Sequence, residues 1–297
     1  MIVRGNADLL AVARNSCRLP LALTVALVLI GCSSGLSAGG PSSQSQSSVQ
    51  HASLSVGGQN RTYRLFRPQA LSSKQPAPLV VALTGCPTTG DQMAAITRLD
   101  DQATTGGFVV VYPDPVGGCW NTGVPCCSGS GDDVTFINRL LDRLSTDNRI
   151  DKSRIFAAGA SAGGIMAYRV ACELSDRFTA IASVAGLMGP QACRPARPVS
   201  ILEMHGTDDS VVPYTGGADA IQQWVALDGC AGEAAQSVSG ITRTSTWSNC
   251  RGGTAVRFDT VEGGHHSWFG SALHPVPGEP NSNATIWGFF SHLGPRA

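Results

Sequence analysis

A serine flanked by small residues is the first feature of the sequence that could do chemistry. Residues 159–163 read Gly-Ala-Ser-Ala-Gly, which puts Ser161 at the centre of a G-x-S-x-G pentapeptide. It follows a predicted strand at 154–158 and opens a predicted helix at 163–174, the context of a nucleophile that projects from a tight strand-to-helix turn. Backbone N–H groups at the helix N-terminus would stabilise negative charge there. The sequence predicts Ser161 as a nucleophile; the alternative is a chance pattern around an idle serine.

A serine nucleophile needs an acid and a base, in the chain order serine, acid, histidine. Asp208 and Asp209 follow a predicted strand at 199–204, and either could be the acid. The one that is not the acid would be a turn or surface residue. His205 stands before them in the chain, so we predict a structural role for it.

Two adjacent histidines, His265 and His266, follow a predicted strand at 256–261 and a pair of glycines. Loop histidines with glycine neighbours are suited to reach a serine on another loop. Adjacent histidines also suggest a metal site, but zinc requires three or four convergent ligands and the cysteines lack C-x-x-C spacing. We therefore predict a histidine base, with no metal and no organic cofactor.

The elements that must position these residues alternate between strand and helix. Such alternation predicts an α/β fold with a mainly parallel sheet covered by helices on both faces, and a site beyond the carboxyl ends of the strands. The predicted strands are 61–67, 79–84, 108–112, 154–158, 179–184, 199–204, 241–247 and 256–261, and the predicted helices are 91–104, 132–144, 163–174, 218–227 and one around 286–293.

Composition excludes several classes of protein. The 297 residues are 42% hydrophobic and 14% charged, which argues against disorder throughout. Lys+Arg and Asp+Glu both number 21, so the chain lacks the basic surplus of a nucleic-acid-binding protein. Ten cysteines favour an oxidising, extracytoplasmic compartment.

The N-terminus has the pattern of an export signal. Basic residues precede a mostly apolar run at 19–30, which is shorter than the roughly 20 residues of a membrane-spanning helix. Gly31 and Cys32 follow it as in a bacterial lipobox, which predicts a signal peptide at 1–31 and a lipid on Cys32; the alternative is an ordinary signal peptide with a chance cysteine. A Ser-rich segment at 32–51 is predicted to be a flexible tether, and 52–297 a single domain that meets the membrane through the lipid alone.

Six motifs occur in order and carry a family resemblance. The chain resembles the secreted esterases of the polyhydroxybutyrate depolymerase and feruloyl esterase type, a group that includes actinobacterial lipoprotein esterases and has the α/β-hydrolase fold. The resemblance covers about 52–293. The motifs are LVVALTGC at 79–86, GCWN at 118–121, DDV at 132–134, ASAGG at 160–164, HGTDDSVVPY at 205–214 and GHHSW at 264–268.

The resemblance implies roles for particular residues. Ser161 matches the family nucleophile, Asp209 rather than Asp208 the acid, and His266 the base, while His265 replaces a family glycine. The oxyanion hole would be formed by the backbone N–H groups of Ala162 and Cys86. One departure is Thr84, because the family usually has His-Gly where this sequence has Thr84-Gly85; the threonine could still form local hydrogen bonds.

The resemblance also implies two disulfides, Cys172–Cys193 and Cys230–Cys250. Cys86, Cys119, Cys126 and Cys127 would then pair among themselves. Trp120 and Trp268 lie in motif loops, where they either form an apolar platform for substrate or pack the loops.

The predicted function is hydrolysis of carboxylic esters by a monomeric serine esterase through an acyl-enzyme. Polymeric hydroxyalkanoate, feruloylated or acetylated polysaccharide and small acyl esters all remain open as substrates. The alternatives are a non-catalytic binding lipoprotein on the same fold and a serine peptidase, since the same three side chains can also cleave amides.

Overall fold

The computed structural model describes residues 48–71, 75–125, 129–273 and 275–295. The chain divides into two units, Met1–Gln44 and Ser45–Ala297, and the described residues all belong to the second. The predicted signal peptide, Cys32 and residues 33–47 of the predicted tether lie outside the described residues. Within the described part of the chain, no helix has both the length and the apolar character needed to cross a membrane.

One sheet organises the fold. Its strands are β1 (Ser48–Val56), β2 (Gln59–Arg67), β3 (Ala77–Leu83), β4 (Val109–Pro113), β5 (Ile150–Ala160), β6 (Ala180–Val184), β7 (Ser200–Gly206), β8 (Ala235–Ser239), β9 (Thr242–Trp247) and β10 (Val256–Val261). Their order across the sheet is β1-β2-β4-β3-β5-β6-β7-β10-β9-β8. The pairs from β4 to β10 are parallel, and those at the two edges are antiparallel. The prediction of a mainly parallel sheet is confirmed.

Helices cover both faces of this sheet, as the sequence predicts. They are α1 (Gly90–Thr97), α2 (Leu99–Gly106), α3 (Asp133–Asp147), α4 (Ala162–Glu173), α5 (Tyr214–Leu227) and α6 (Ser282–Ser291). Apolar residues of α3, α4 and α5 pack in one core on one face, and those of α1, α2 and α6 pack in a second core on the other. Strand β4 is buried at every position, which explains its continuous apolar sequence.

Three predictions about elements are corrected. The single helix expected at 91–104 is two helices, because Arg98 has a left-handed backbone (φ 51°) and its N–H bonds to Ala94 at the end of α1. Strands β1 and β8 were not predicted, because they lie at the sheet edges, expose most of their residues and carry no buried apolar run. Since β1 begins at Ser48, the folded region starts inside the segment 32–51 that was predicted as a tether.

One disulfide joins α4 to the loop before β7, and another joins the segment after α5 to the loop after β9. Cys172–Cys193 and Cys230–Cys250 are both present, with Cα–Cα distances of 5.1 and 3.8 Å. Both pairs are those that the resemblance implies. Cys126 and Cys127 lie outside the described residues.

Close backbone packing between β3 and α4 generates a prediction about stability. A Cβ atom on Gly163 would lie 2.0 Å from the Leu83 carbonyl oxygen and 2.6 Å from that of Thr84. Backbone atoms of a central strand cannot move aside cheaply, so Gly163→Ala should lower the free energy of unfolding by at least about 2 kcal/mol. Chemical denaturation measures this.

Gly288→Ala is the matched control, because Gly288 lies within α6 and an added Cβ would meet no atom within 4 Å. This substitution should be neutral or stabilise the protein by up to about 1 kcal/mol, since alanine favours a helix. Equal stability of the two variants would contradict the packing described.

Candidate active site

Ser161 stands in a strained turn between β5 and α4. Its backbone has φ 55° and ψ −121°, a conformation that residues with a side chain rarely adopt. The surroundings hold it there: the Ser161 N–H bonds to the Val184 carbonyl at 2.9 Å, and a Cβ on Gly159 would lie 2.1 Å from the Gly163 carbonyl oxygen. The small residues of the pentapeptide therefore let strand and helix approach closely enough to form this turn, as the sequence predicts.

Asp209 and His266 meet because two adjacent parallel strands end side by side. In the register of β7 and β10, Gly206 pairs with Val261, so the loops that follow leave the sheet together. His266 Nδ1 donates to Asp209 Oδ2 at 2.7 Å, with the proton placed on Nδ1 because a carboxylate can only accept. Nε2 of His266 is thereby left as the basic nitrogen.

The Asp209 carboxylate is buried and fully bonded. Its Oδ1 accepts the backbone N–H groups of Val211 and Val212 at 2.9 and 2.8 Å. Burial alone would raise the pKa of Asp209, but hydrogen bonds from His205, His266 and these two N–H groups hold it well below its usual range. The side chain therefore stays ionised beside His266.

The neighbouring candidates lie in different surroundings. Asp208 is exposed, and its side chain accepts from Thr207 Oγ1 at 3.4 Å. His265 is also exposed, and its ring nitrogen Nδ1 lies 3.5 Å from the Asp208 backbone oxygen. Within the described residues, no group of three or more His, Cys, Asp or Glu side chains is arranged to hold a metal ion.

Ser161 and His266 open onto the same cavity, whose volume is about 190 Å³. Cys86 also lines it, so the structure brings together the predicted nucleophile, base and one predicted oxyanion donor. Most of the remaining lining is apolar: Met93, Ile96, Val184, Ala185, Trp268 and Leu273. Trp268 is nearly buried and donates its indole N–H to Asn283 Oδ1 at 2.9 Å, so the atoms that it offers to the cavity belong to a fixed ring.

The loop after β3 is held from several directions. A disulfide joins Cys86 to Cys119 with a Cα–Cα distance of 4.9 Å. The adjacent Trp120 donates its indole N–H to the Thr84 carbonyl at 2.9 Å. Thr88 closes the loop with two hydrogen bonds to the Gly85 carbonyl, one from its N–H and one from its hydroxyl. The backbone of this loop is therefore fixed at Cys86, whose N–H is a predicted oxyanion donor.

The structure bears on two points that the sequence left open. Of the two roles considered for Trp120, its full burial and its bond to Thr84 fit packing of the loop and not a substrate platform. Thr84 could have formed local side-chain hydrogen bonds, but within the described residues its buried Oγ1 has no partner. Ala162, the other predicted oxyanion donor, is the first residue of α4, and N–H groups in the first turn have no acceptor within the helix.

Some supporting residues were missed by the sequence analysis. Arg61 and Asp133 form a buried ion pair at 2.6 Å, and the second oxygen of Asp133 accepts the Asn121 N–H at 2.6 Å beside Trp120. Glu203 is a fully buried acid in the middle of β7. The sequence contained a signal for Glu203, because a charged residue interrupts the mostly apolar predicted strand at 199–204.

A wider groove adjoins the cavity. Its volume is about 890 Å³, and it shares Ile96, Thr97 and Leu273 with the cavity that holds Ser161. Polar side chains line much of the groove, including Arg98, Asp101, Gln102, Thr105, Ser271 and Asn281. A ligand that reaches Ser161 from this side would thus pass from a polar to an apolar environment.

The fold and the placement of Ser161 beyond β5 define the chain as an α/β-hydrolase. Residues 61–212, slightly more than half of the chain, match the model of the family described as "Esterase PHB depolymerase". The chain therefore belongs to this family, and the resemblance noted from the motifs is confirmed.

Curated relatives that the chain matches are named esterases, and the share of their own length that the chain covers varies. Feruloyl esterase B of Piromyces equi is 31% identical over 67% of this chain and 41% of its own length. Feruloyl esterase D of Neurospora crassa is 24% identical over 91% of this chain and 97% of its own length. The chain spans 41% to 63% of the length of the first four curated relatives that it matches.

Solved structures share the fold. The acetyl xylan esterase from Aspergillus awamori superimposes with a TM-score of 0.63 at 18% identity, over 82% of this chain and 99% of that one.

The Trp120 hydrogen bond generates a prediction about the loop that carries Cys86. Trp120→Phe keeps an aromatic ring but leaves the buried Thr84 carbonyl without its donor, which should cost about 1–3 kcal/mol of stability. We expect ester turnover (kcat) to fall about 10-fold with little change in KM, because a predicted oxyanion donor shifts.

Trp224→Phe is a matched control, because Trp224 is equally buried and donates to the Val199 carbonyl at 2.9 Å. It should lose similar stability and keep its kcat. If both variants lose the same fraction of kcat at a temperature where both are folded, the loop account is wrong.

Proposed function

We propose that this protein is a serine carboxylic ester hydrolase that works through an acyl-enzyme. The observation that carries the proposal is the 2.7 Å hydrogen bond from His266 to the buried Asp209, with His266 and the strained Ser161 lining one cavity. This is the arrangement in which a serine, a base and an orienting acid act as a unit.

In the first half of the reaction, His266 Nε2 removes the proton from Ser161 Oγ as that oxygen attacks the ester carbonyl carbon. Asp209 holds the His266 ring and stabilises the imidazolium. The N–H groups of Ala162 and Cys86 bind the oxyanion, and the loss of one such donor costs about 10²–10³ in rate in a comparable hydrolase. The C–O bond then breaks, and the alcohol leaves with the proton from His266.

The second half returns the enzyme to its resting state. His266 accepts a proton from water, whose oxygen attacks the acyl carbon on Ser161. The oxyanion forms at the same two N–H groups. Collapse of the intermediate releases the carboxylic acid and returns the proton to Ser161 Oγ. Every proton passes through His266, and the reaction consumes one water per ester.

We infer that the acyl group occupies the apolar cavity and the alcohol part the polar groove. A cavity of about 150 Å³ can hold benzene, so the cavity of about 190 Å³ beside Ser161 can admit an aromatic or short aliphatic acyl group. The groove offers hydrogen-bonding groups suited to a carbohydrate alcohol. Relatives named feruloyl esterase and acetylxylan esterase support hydroxycinnamoyl or acetyl esters of polysaccharides as the substrate class.

We propose that the protein acts outside the cytoplasm, anchored by a lipid on Cys32. The three disulfides of the described region support an oxidising compartment. The export signal predicted at 1–31 supports the same proposal from the sequence alone.

Ser161→Ala tests the proposal directly. The full-length variant should keep its thermal unfolding midpoint and lose at least about 10³-fold in kcat/KM for a panel of feruloyl, acetyl and short acyl esters. A fluorophosphonate probe should label the wild type at Ser161 and leave the variant unlabelled. Ser153→Ala, a change near the opposite end of β5 from Ser161, should behave as the wild type.

Retention of activity by Ser161→Ala would refute the assignment. Failure of the wild type to react with the probe or with any ester would favour a binding protein. Faster cleavage of peptide amides than of esters would identify a peptidase.

Ile96→Trp tests the placement of the acyl group. Ile96 lies at the junction of the cavity and the groove and is partly exposed, so α1 can accommodate a larger side chain there. The indole should fill the cavity and lower kcat/KM for an aromatic acyl ester by about 10–100-fold, while an acetyl ester of the same alcohol changes less than about threefold.

Ile96→Val provides the control, because it enlarges the cavity without filling it. Equal losses for aromatic and acetyl esters in Ile96→Trp would place the acyl group elsewhere.

A further inference from the structure

A second imidazole contacts the carboxylate that orients His266. His205 Nε2 lies 3.4 Å from Asp209 Oδ2, the same oxygen that accepts from His266. On the other side of the ring, Nδ1 lies 3.0 Å from Glu203 Oε1. Buried polar groups therefore form a continuous row from Glu203 through His205 and Asp209 to His266.

The partners of His205 determine its protonation. Nε2 lies 3.0 Å from the Val212 backbone oxygen, which can only accept, so Nε2 carries a proton. Glu203 accepts from the Tyr168 hydroxyl at 3.1 Å and from the Gly186 N–H at 3.2 Å. With Glu203 ionised and accepting at Oε1, Nδ1 also carries a proton, and His205 is then an imidazolium.

The electrostatics of the pair agree with this geometry. Burial alone would lower the pKa of His205, but the hydrogen bonds with Asp209 and Glu203 raise it to about 10. The pKa of Glu203 is raised, because the effect of burial outweighs the opposing hydrogen bonds with His205 and the Gly186 N–H. Each member thus favours the charged form of the other.

The protein provides a closed site for this charged ring. The side chains of His205, Glu203 and Asp209 have no exposed area. Helix α5 has a glycine against the ring, because a Cβ on Gly217 would lie 2.4 Å from His205 Nδ1. From the same helix, the Tyr214 ring lies edge-on with its centroid 6.1 Å away.

We propose that His205, paired with Glu203, is a positioning residue whose buried positive charge holds Asp209 in place and weakens the negative field that Asp209 exerts on His266. This inference rests on the proposed esterase function. The groups that face His205 are Glu203 from its own strand, Asp209 and the Val212 carbonyl from the next loop, and Tyr214 from α5. Tyr168 of α4 acts on it through Glu203.

The sign of the effect follows from the charges. A positive charge behind Asp209 opposes the second positive charge that an imidazolium beside Asp209 adds during the reaction, so it should extend activity to lower pH. Without that charge, the acidic limb of the kcat/KM profile should move to higher pH by about one unit.

Variants at position 205 separate charge from positioning. In His205→Gln, the side-chain amide can still donate to Val212 and Asp209 but carries no charge, so the acidic limb should move upward while kcat at high pH changes less than about threefold. In His205→Leu, the donor is also lost, and kcat at high pH should fall by about 10–100-fold because Asp209 is misplaced. Both measurements use the full-length protein and one ester substrate.

A double variant addresses folding. His205→Gln leaves Glu203 without its partner, whereas Glu203→Gln/His205→Gln removes both charges together. The double variant should shift the acidic limb in the same direction by a smaller amount, because the negative charge of Glu203 is lost as well. Asp259→Asn is the control for the loss of a buried charge, because Asp259 is fully buried and pairs with Arg257 at 2.7 Å. It should lower stability and leave the pH profile unchanged.

The wild type offers an independent measurement. In ¹⁵N-histidine NMR spectra at pH 8, His205 should show two protonated ring nitrogens, which defines an imidazolium. A neutral pattern for His205, or a His205→Gln profile that coincides with that of the wild type, would overturn the inference. Because Ser161→Ala tests the esterase function separately, an inactive Ser161→Ala with an unshifted His205→Gln profile would refute this inference alone.

Discussion

The hydrogen bond between His266 and Asp209 joins the loops of two adjacent parallel strands, and the geometry of the whole site depends on it. It forms because β7 and β10 end in register, so that residues three and five positions beyond their ends can meet. Ser161 lies on the same edge of the sheet, at the end of β5. A parallel sheet is thus what brings together three side chains separated by 48 and 57 positions in the sequence.

The site is rigid because each part is restrained by its own buried contacts. Glycines hold the Ser161 turn against α4 and β3, and backbone N–H groups of Val211 and Val212 hold Asp209. A disulfide and the Trp120 indole hold the loop that carries Cys86. These restraints place donors before substrate arrives, which is how a site lowers the cost of forming an oxyanion.

Much of this arrangement could be predicted from the sequence, and the failures have physical causes. Buried parallel strands such as β4 are continuous apolar runs and were found, whereas β1 and β8 at the edges expose most of their residues and carry no such signal. The break between α1 and α2 depends on the left-handed backbone of Arg98, which the composition of the segment does not reveal. The role of Trp120 could not be predicted, because an aromatic residue beside a site has the same sequence pattern whether it packs a loop or binds a ligand. Its hydrogen bond to Thr84, which distinguishes the two roles, is visible only in the structure.

The charge arrangement behind Asp209 illustrates a further limit of sequence patterns. His205 was predicted to be structural because of its position in the chain order. Its contacts with Glu203, two residues before it on β7, and with Asp209, four residues after it, depend on how the chain turns beyond β7. A charged residue in a predicted buried strand is a usable signal for such a partner, since an isolated buried carboxylate is costly.

The central claim is that Ser161 accepts the acyl group, and rapid-quench mass spectrometry of the full-length protein tests it most directly. Mixing with an excess of an aromatic acyl ester, followed by acid quench within milliseconds, should give a protein heavier by one acyl group, and peptide mapping should locate that group on Ser161. Ester turnover that proceeds with no acylated protein at any time, or with the acyl group on another residue, would contradict the account.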